Sequence, residues 1–330
     1  MRCLAAAALP LVSAVTFALQ AAMQAPPLAL VSTAWPPFTN PHGQPRFALD
    51  LVEAGLQRIG LTATTTIVSA PDFTAALLGA QYDGSAAAWK NAEREQALVF
   101  SRPYLENRLV LIGRRGADVT ASVLTDLKDT RIALVEGYAY GDAVEGAGPA
   151  FVRTGSEEDS LSMLLEGEVD YTLMDELVVQ YIVRHYPKES AARLQLGSTP
   201  LVKRELHFAI KRSRPDALSI VVRFNEQLRR MIVDRTYHRL LRVDWIRADI
   251  DGDGVVEYVP RSDKAGSTEP RNAYLLFSPP QAPKGPEKPG FYLGGNIYRD
   301  WASVPKSYKS EDLRQPDSRR STGSIFRFTW

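Results

Sequence analysis

The chain has 330 residues, 45% hydrophobic and 23% charged, with 39 basic against 38 acidic side chains. That length suits about two domains of ~150 residues, the composition is that of a folded globular protein, and a formal charge of +1 leaves no electrostatic case for a nucleic-acid partner. Its single cysteine is Cys3, near the start, so disulfides and thiol catalysis are excluded from everything downstream. Residues 1–25 read as a secretory signal peptide: Arg2 supplies the positive start and Leu4 to Ala22 an apolar run, with Ala18, Ala22 and Ala25 as cut positions. The run is interrupted by Pro10 and Ser13 and is barely long enough to span a bilayer, which disfavours a permanent anchor. The expected location is the periplasm.

Strand and helix patterns alternate after the leader. Leu28–Val31 predicts a short strand leading into Trp35-Pro36-Pro37-Phe38, a turn stiffened by two prolines. Val52, Leu56 and Ile59 repeat at helical spacing, and Gly60 closes that helix. Ile67-Val68 predicts a strand and Phe73–Leu78 a short helix. The stretch from Asp83 to Tyr104 organises the rest: it ends a buried strand, passes Trp89, Lys90 and Asn91, and reaches Arg94 one helical turn on. An arginine fork beside aromatic rings suits a carboxylate, which accepts two parallel charge-assisted hydrogen bonds from it; a solvated helix face is the plainer alternative.

Leu109–Ile112 predicts the next strand, with a first crossover at Gly113–Gly116. Arg131–Val135 predicts another strand, ending at Glu136-Gly137-Tyr138. Tyr171–Asp175 places Asp175 at the carboxyl end of a strand, where ligands bind in open α/β sheets; it serves equally as a helix N-cap. Leu206–Lys211 predicts a returning strand behind a second crossover, followed by a helix with Phe224, Leu228, Met231 and Ile232 on one face. The alternation indicates α/β lobes.

Five separated segments together resemble the periplasmic solute-binding proteins of family 3, the polar-amino-acid type. They are the Arg94 motif with Phe100-Ser101 and Pro103-Tyr104 after it, Phe47-Ala48-Leu49-Asp50-Leu51, Asp126-Leu127-Lys128 with the strand that follows, Gly167-Glu168-Val169-Asp170 through Asp175, and Asn225 through Tyr237 to Trp245. The resemblance covers roughly residues 28 to 245. It implies a two-lobed type 2 periplasmic binding fold with two crossovers, lobe 1 being 26–113 and 206–246 and lobe 2 being 114–205. It also implies a cleft in which Trp35, Trp89, Asn91 and Arg94 come from lobe 1 and Tyr138 and Asp175 from lobe 2, Arg94 holding a ligand carboxylate and Asp175 its ammonium group. Four positions depart from the family pattern: Asn91 replaces Thr, Tyr138 replaces a small hydroxyl residue, and Arg46 and Arg235 replace Gly.

The expected function is therefore binding of a small amino-acid-like ligand, with a bulky, flat or cationic side chain, for an ABC permease or a membrane sensor. The expected state is a monomer that requires no cofactor. Two alternatives stand beside it: a periplasmic enzyme on this scaffold, like the cyclohexadienyl dehydratases, with Asp175 or Glu176 as the acid, and a protein-interaction module without a ligand.

The remaining residues, 247–330, are predicted to form a small irregular extension. Asp249, Asp251 and Asp253 alternate before Gly254, as in the first half of a calcium loop, and Glu257 stands at the ninth position; Pro260 occupies the twelfth, where an acid would complete such a loop. A calcium site and an acidic turn are both open. Residues 262–290 read as a Pro/Gly-rich linker, and Phe291–Leu293 with Asn296–Tyr298 as a hairpin around Gly294-Gly295. Trp245 is expected to anchor the last helix of lobe 1. The four histidines, His42, His185, His207 and His238, are scattered without metal spacing, and no phosphate loop or G-x-S-x-G elbow occurs.

Overall fold

In a computed structural model, residues 26–309 are described, apart from 147, 252, 264, 267–268, 271–272 and 276–288. The leader and the end of the chain lie outside the described residues, as does much of the expected linker. The elements in order are β1 (Leu28–Thr33), α1 (Phe47–Gln57), β2 (Ala63–Val68), α2 (Ala70–Leu78), β3 (Gly84–Trp89), α3 (Ala92–Ala97), β4 (Leu98–Phe100) and β5 (Leu105–Arg114). Then come β6 (Arg131–Val135), α4 (Asp142–Glu145), β7 (Ala150–Thr154), α5 (Glu157–Glu166), β8 (Tyr171–Asp175), α6 (Glu176–His185), α7 (Pro187–Arg193), β9 (Leu194–Lys211), α8 (Ala217–Val233) and α9 (Thr236–Leu241). Among the described residues β10 (Trp245–Ala248), β11 (Glu257–Pro260), β12 (Tyr274–Leu275), β13 (Phe291–Leu293) and β14 (Asn296–Tyr298) follow.

One nine-stranded sheet runs in the order β2-β1-β3-β9-β5-β8-β6-β7, with β4 on the other side of β9. Its two ends are parallel, β1 with β2 and β6 with β7, as strands joined by crossover helices must be. The middle is an antiparallel ribbon in which β5 pairs with β9 from Leu105–Leu206 to Arg114–Leu194. This ribbon is the crossover. The strand expected to begin at Leu206 thus starts twelve residues earlier at Leu194, because its first half belongs to the second lobe and its second half to the first.

Each lobe buries helices on its sheet. The α1 face of Leu49, Val52 and Leu56 is fully buried, and a side chain at Gly55 would meet the Phe224 ring of α8 at 2.6 Å. Arg235, which stands where the resembled family has Gly, has φ +66 and opens α9 in the left-handed region. Its guanidinium pairs with Asp263 at 3.1 Å and lies over the Tyr292 ring, so contacts to the extension help hold the strained backbone.

The extension is more regular than expected. A second, five-stranded sheet runs β12-β10-β11-β13-β14, and the hairpin at Gly294-Gly295 is present, with both glycines at positive φ. Trp245 does not anchor the last helix: it starts β10 and packs edge-on against Phe291, Tyr258 and Trp301 in this second core. The extension is tied to the ribbon, where the Arg108 side chain of β5 donates to the Ala273 carbonyl, and to α9, where His238 meets the Val259 carbonyl at 3.0 Å.

Candidate ligand-binding cleft

The carboxyl ends of β1 and β3 and the loop after β6 converge on one point. Trp35 follows β1, Trp89 ends β3, and Tyr138 and Tyr140 follow β6. Their rings contact one another edge to face, Trp35–Trp89 at 5.5 Å within the first lobe and Trp35–Tyr138, Trp89–Tyr138 and Trp89–Tyr140 at 5.6 Å across the lobes. Beside them is a cavity of about 30 Å³ lined by Thr33, Trp35, Phe73, Trp89, Arg94 and Tyr138 among others. Trp35, Trp89, Arg94 and Tyr138 are thus brought together at one site.

Arg94 is 2% exposed although it belongs to a short surface helix. Asn91 caps that helix, accepting from the Arg94 amide at 2.8 Å, and so aims the side chain inward. The guanidinium donates to the Trp89 carbonyl at 3.1 Å, the Thr74 hydroxyl at 2.8 Å and, across the cleft, the Gly137 carbonyl at 2.9 Å, over the Phe73 ring. Its Nε is buried without a hydrogen-bond partner. Burial brings its pKa down to about 10, with Glu93 opposing the shift and Arg204 adding to it. The group is a buried cation held by neutral dipoles.

Gly137 permits this contact. It has φ +79, and a Cβ there would lie 2.2 Å from the Ala70 carbonyl oxygen of the opposite lobe.

Asp175 is fully buried and its carboxylate is already engaged. It accepts from Asn107 Nδ2 and the Arg108 amide, both at 3.0 Å, and from the Leu177 amide at 2.8 Å as the cap of α6. Asn107 in turn accepts from the Trp89 indole at 2.8 Å, so Asp175 buttresses the Trp89 ring from behind and is absent from the cavity lining. Burial raises its pKa to about 7 against these hydrogen bonds. Asn91 has a similar role, as a cap and not as a wall of the cavity.

Several residues at or behind the site carry no motif: Phe73 and Thr74 around Arg94, and, behind the cavity lining, Tyr140 and Glu157, the first residue of α5. Glu157 is buried beside Trp35, Tyr138 and Tyr140, and burial followed by repulsion from Asp175 raises its pKa to about 8.

Away from the cleft, oxygens of Asp249, Asp251 and Asp253 lie within 4.8 Å of one another. Three backbone amides bind the same carboxylates: Gly254 to Asp249 at 3.1 Å, Asp253 to Asp251 at 3.2 Å and Val255 to Asp253 at 2.8 Å. Glu257 is turned under the loop, where its Oε2 accepts from the Ile250 amide at 3.1 Å and burial raises its pKa to about 7. Such a loop suits a hard divalent cation with oxygen ligands.

Known proteins resemble this chain over its two lobes. The chain is 30% identical over 172 residues to the membrane-bound lytic murein transglycosylase F of Maricaulis maris, matching 49% of this chain and 38% of that protein. It is 24% identical over 216 residues to the ABC transporter arginine-binding protein 1 of Escherichia coli, matching 64% and 86%. The chain thus spans well under half of the transglycosylase. An ancestral arginine-binding protein bound to arginine superposes with a TM-score of 0.56 at 20% identity, over 65% of this chain and 96% of that one, which gives the fold: two lobes of the type 2 periplasmic binding class. Residues 29–247 match the model of one family throughout, and the chain belongs to the bacterial extracellular solute-binding proteins, family 3.

Proposed function

We propose that this protein is an exported receptor that binds a small amino-acid-like zwitterion between its lobes and presents it to an ABC permease or a membrane sensor. The observation that carries the reading is Arg94, a buried guanidinium with an unpartnered Nε in an aromatic cavity at the lobe junction. A ligand carboxylate there brings a full negative charge and a bidentate acceptor to a guanidinium now held by neutral oxygens. The cavity of about 30 Å³ holds two or three waters at ~10–15 Å³ each, whereas ligand pockets span about 300–1,000 Å³, so entry requires the lobes to part and Tyr138 to withdraw from the tryptophans. Among the described residues no helix is long and apolar enough to cross a membrane, which is compatible with a leader-directed soluble receptor. In the dehydratase alternative the acid was Asp175 or Glu176, and neither lines the cavity. Calcium in the loop of Asp249, Asp251, Asp253 and Glu257 is proposed as a brace for the extension and not as part of the ligand site.

The test is a thermal-shift screen of the twenty L-amino acids, with calorimetry and a turnover assay on each hit. At least one amino acid raises the melting temperature and is recovered unchanged. Stabilisation by a plain sugar or inorganic anion alone, with no response to any amino compound, overturns the reading.

A further inference from the structure

Arg94 answers one end of a zwitterion, and the structure contains a counterpart for the other end. Glu157 lies in the run Ser156-Glu157-Glu158-Asp159, which reads as a capped helix start with a solvated acidic turn. Asp159 is exposed and Glu158 half-buried, but Glu157 turns inward and is 6% exposed. Its Oε2 has no hydrogen-bond partner. From the first lobe the Trp35 indole is near enough to favour the charged form of this carboxyl, and Trp35 Nε1 is likewise without a hydrogen-bond partner. The phenols of Tyr138 and Tyr140 face it from the loop after β6, and Asp175 stands behind it.

A buried carboxyl without a partner is costly, and buried acids are ordinarily paired or neutralised. Among the described residues the charged group coupled to it is Asp175, which is of like sign and already engaged by three donors. Glu157 does not line the closed cavity itself but sits behind Trp35 and Tyr138, which do, so withdrawal of Tyr138 opens the cavity towards it. On that cavity Arg94 has the opposite charge and an open donor. One molecule bearing a carboxylate and a cationic nitrogen satisfies both groups. We propose that Glu157, with Asp175 only a support behind it, receives the cationic nitrogen of the ligand, making the cleft selective for amine- or guanidine-bearing carboxylates over plain carboxylates.

This rests on the zwitterion reading above and adds to it a residue and a proton. The Glu157 carboxyl, with its pKa raised to about 8, is mostly protonated at pH 7, and a cation beside it favours the charged form. Binding therefore expels the proton to solvent, and affinity climbs with pH up to about 8 and then levels.

The experiment is calorimetry on the full chain in two buffers of different ionisation enthalpy, at pH 6, 7 and 8. The probes are L-arginine and L-phenylalanine, with pentanoate and 3-phenylpropionate as the same skeletons stripped of cationic nitrogen. Wild type releases close to one proton per amine-bearing probe at pH 7, and its affinity for that probe rises roughly tenfold from pH 6 to pH 7 and by somewhat less from pH 7 to pH 8. Glu157→Gln binds the amine-bearing probe at least tenfold more weakly at pH 8 and releases no proton, while the stripped carboxylates bind it as well as they bind wild type. Unchanged affinity and proton release in Glu157→Gln overturn the inference, as does release that disappears in Asp175→Asn but persists in Glu157→Gln. Should Glu157→Gln fail to fold, wild type alone decides, because zero proton release with affinity flat from pH 6 to 8 is enough to refute it. If neither these probes nor any of the twenty amino acids binds, the receptor reading itself falls, and the inference with it.

Discussion

Replacing Gly137 by alanine isolates the closure of the lobes. A Cβ at this position would sit 2.2 Å from the Ala70 carbonyl oxygen, about 1 Å short of ordinary carbon–oxygen contact. The neighbour is backbone and cannot rotate away, so the lobes must separate by about that amount. The Arg94 Nη2–Gly137 O bond, 2.9 Å long, is then stretched beyond hydrogen-bond range. Losing a hydrogen bond to a buried charged donor costs about 1.5–3 kcal/mol, and an alanine at φ +79 adds about 1–2 kcal/mol of backbone strain. Gly60 supplies the control, because its φ is +78 and an added Cβ there meets nothing within 4 Å. Gly60→Ala should therefore show the backbone cost alone, and Gly137→Ala should exceed it by about 1.5–3 kcal/mol in urea unfolding. Amide exchange should also quicken in residues 70–74 and 135–140 of Gly137→Ala only. Equal losses in the two variants, with exchange unaltered, would show that the Gly137–Ala70 approach does not hold the lobes together.

Three further expectations follow from the same geometry. Arg94→Ala should weaken ligand binding by about 2–5 kcal/mol and Arg94→Lys should recover part of it, since a point charge does not reproduce the fork; calorimetry with unchanged affinity in Arg94→Ala removes the residue from the site. Stability should fall as pH rises from about 4.5 to 8. Glu157, Asp175 and Glu257, raised to about 8, about 7 and about 7, contribute stability that is fully present below the ordinary carboxylate range and lost as pH rises through those values. It outweighs the opposing contribution of His238, buried beside the Val259 carbonyl and lowered to about 4 by desolvation, which is lost as pH falls towards 4. Urea melts from pH 4 to pH 9 check this, and Glu157→Gln should make the decline shallower. Calcium at millimolar levels should raise the protease resistance of the extension without altering ligand affinity, and Asp251→Ala combined with Asp253→Ala should abolish the effect; identical responses in wild type and double variant reduce the loop to an acidic turn.

The scaffold was legible because its signals are local. Helical spacing at Val52 and Leu56, apolar runs at Leu109–Ile112 and Arg131–Val135, and the strand that ends at Asp175 all appear where the sequence places them. Arg94, Trp35, Trp89 and Tyr138 also meet as the resemblance implies. Glu157 could not be found in this way, because its burial comes from Trp35, more than a hundred residues earlier in the chain, and its own neighbourhood spells a solvated helix start. Asp175 carries the right motif, but a strand-end aspartate before a helix has two uses, and only the Asn107 and Arg108 donors of the ribbon show which one dominates here. The second sheet escaped notice because its strands have two to four residues, too short for period-two alternation to stand out. Trp245 was misplaced for the same reason.

The ribbon also dictates an order of assembly. The strands β6, β7 and β8 and the helices between them are one continuous piece of chain, so that half of the molecule can close on itself without waiting for anything downstream. The other half cannot. Its strand β3 lacks its second partner until β9 arrives more than a hundred residues later, and α1 lacks its cover until α8 and α9 follow. Closing so long a loop costs entropy before any contact repays it, so the first lobe, although translated first, is completed last. Until then β3, a strand buried on both faces in the finished protein, presents an unpaired edge. Substitutions that slow formation of the ribbon, at Asn107 or Arg204 for example, should therefore reveal themselves first as aggregation during refolding.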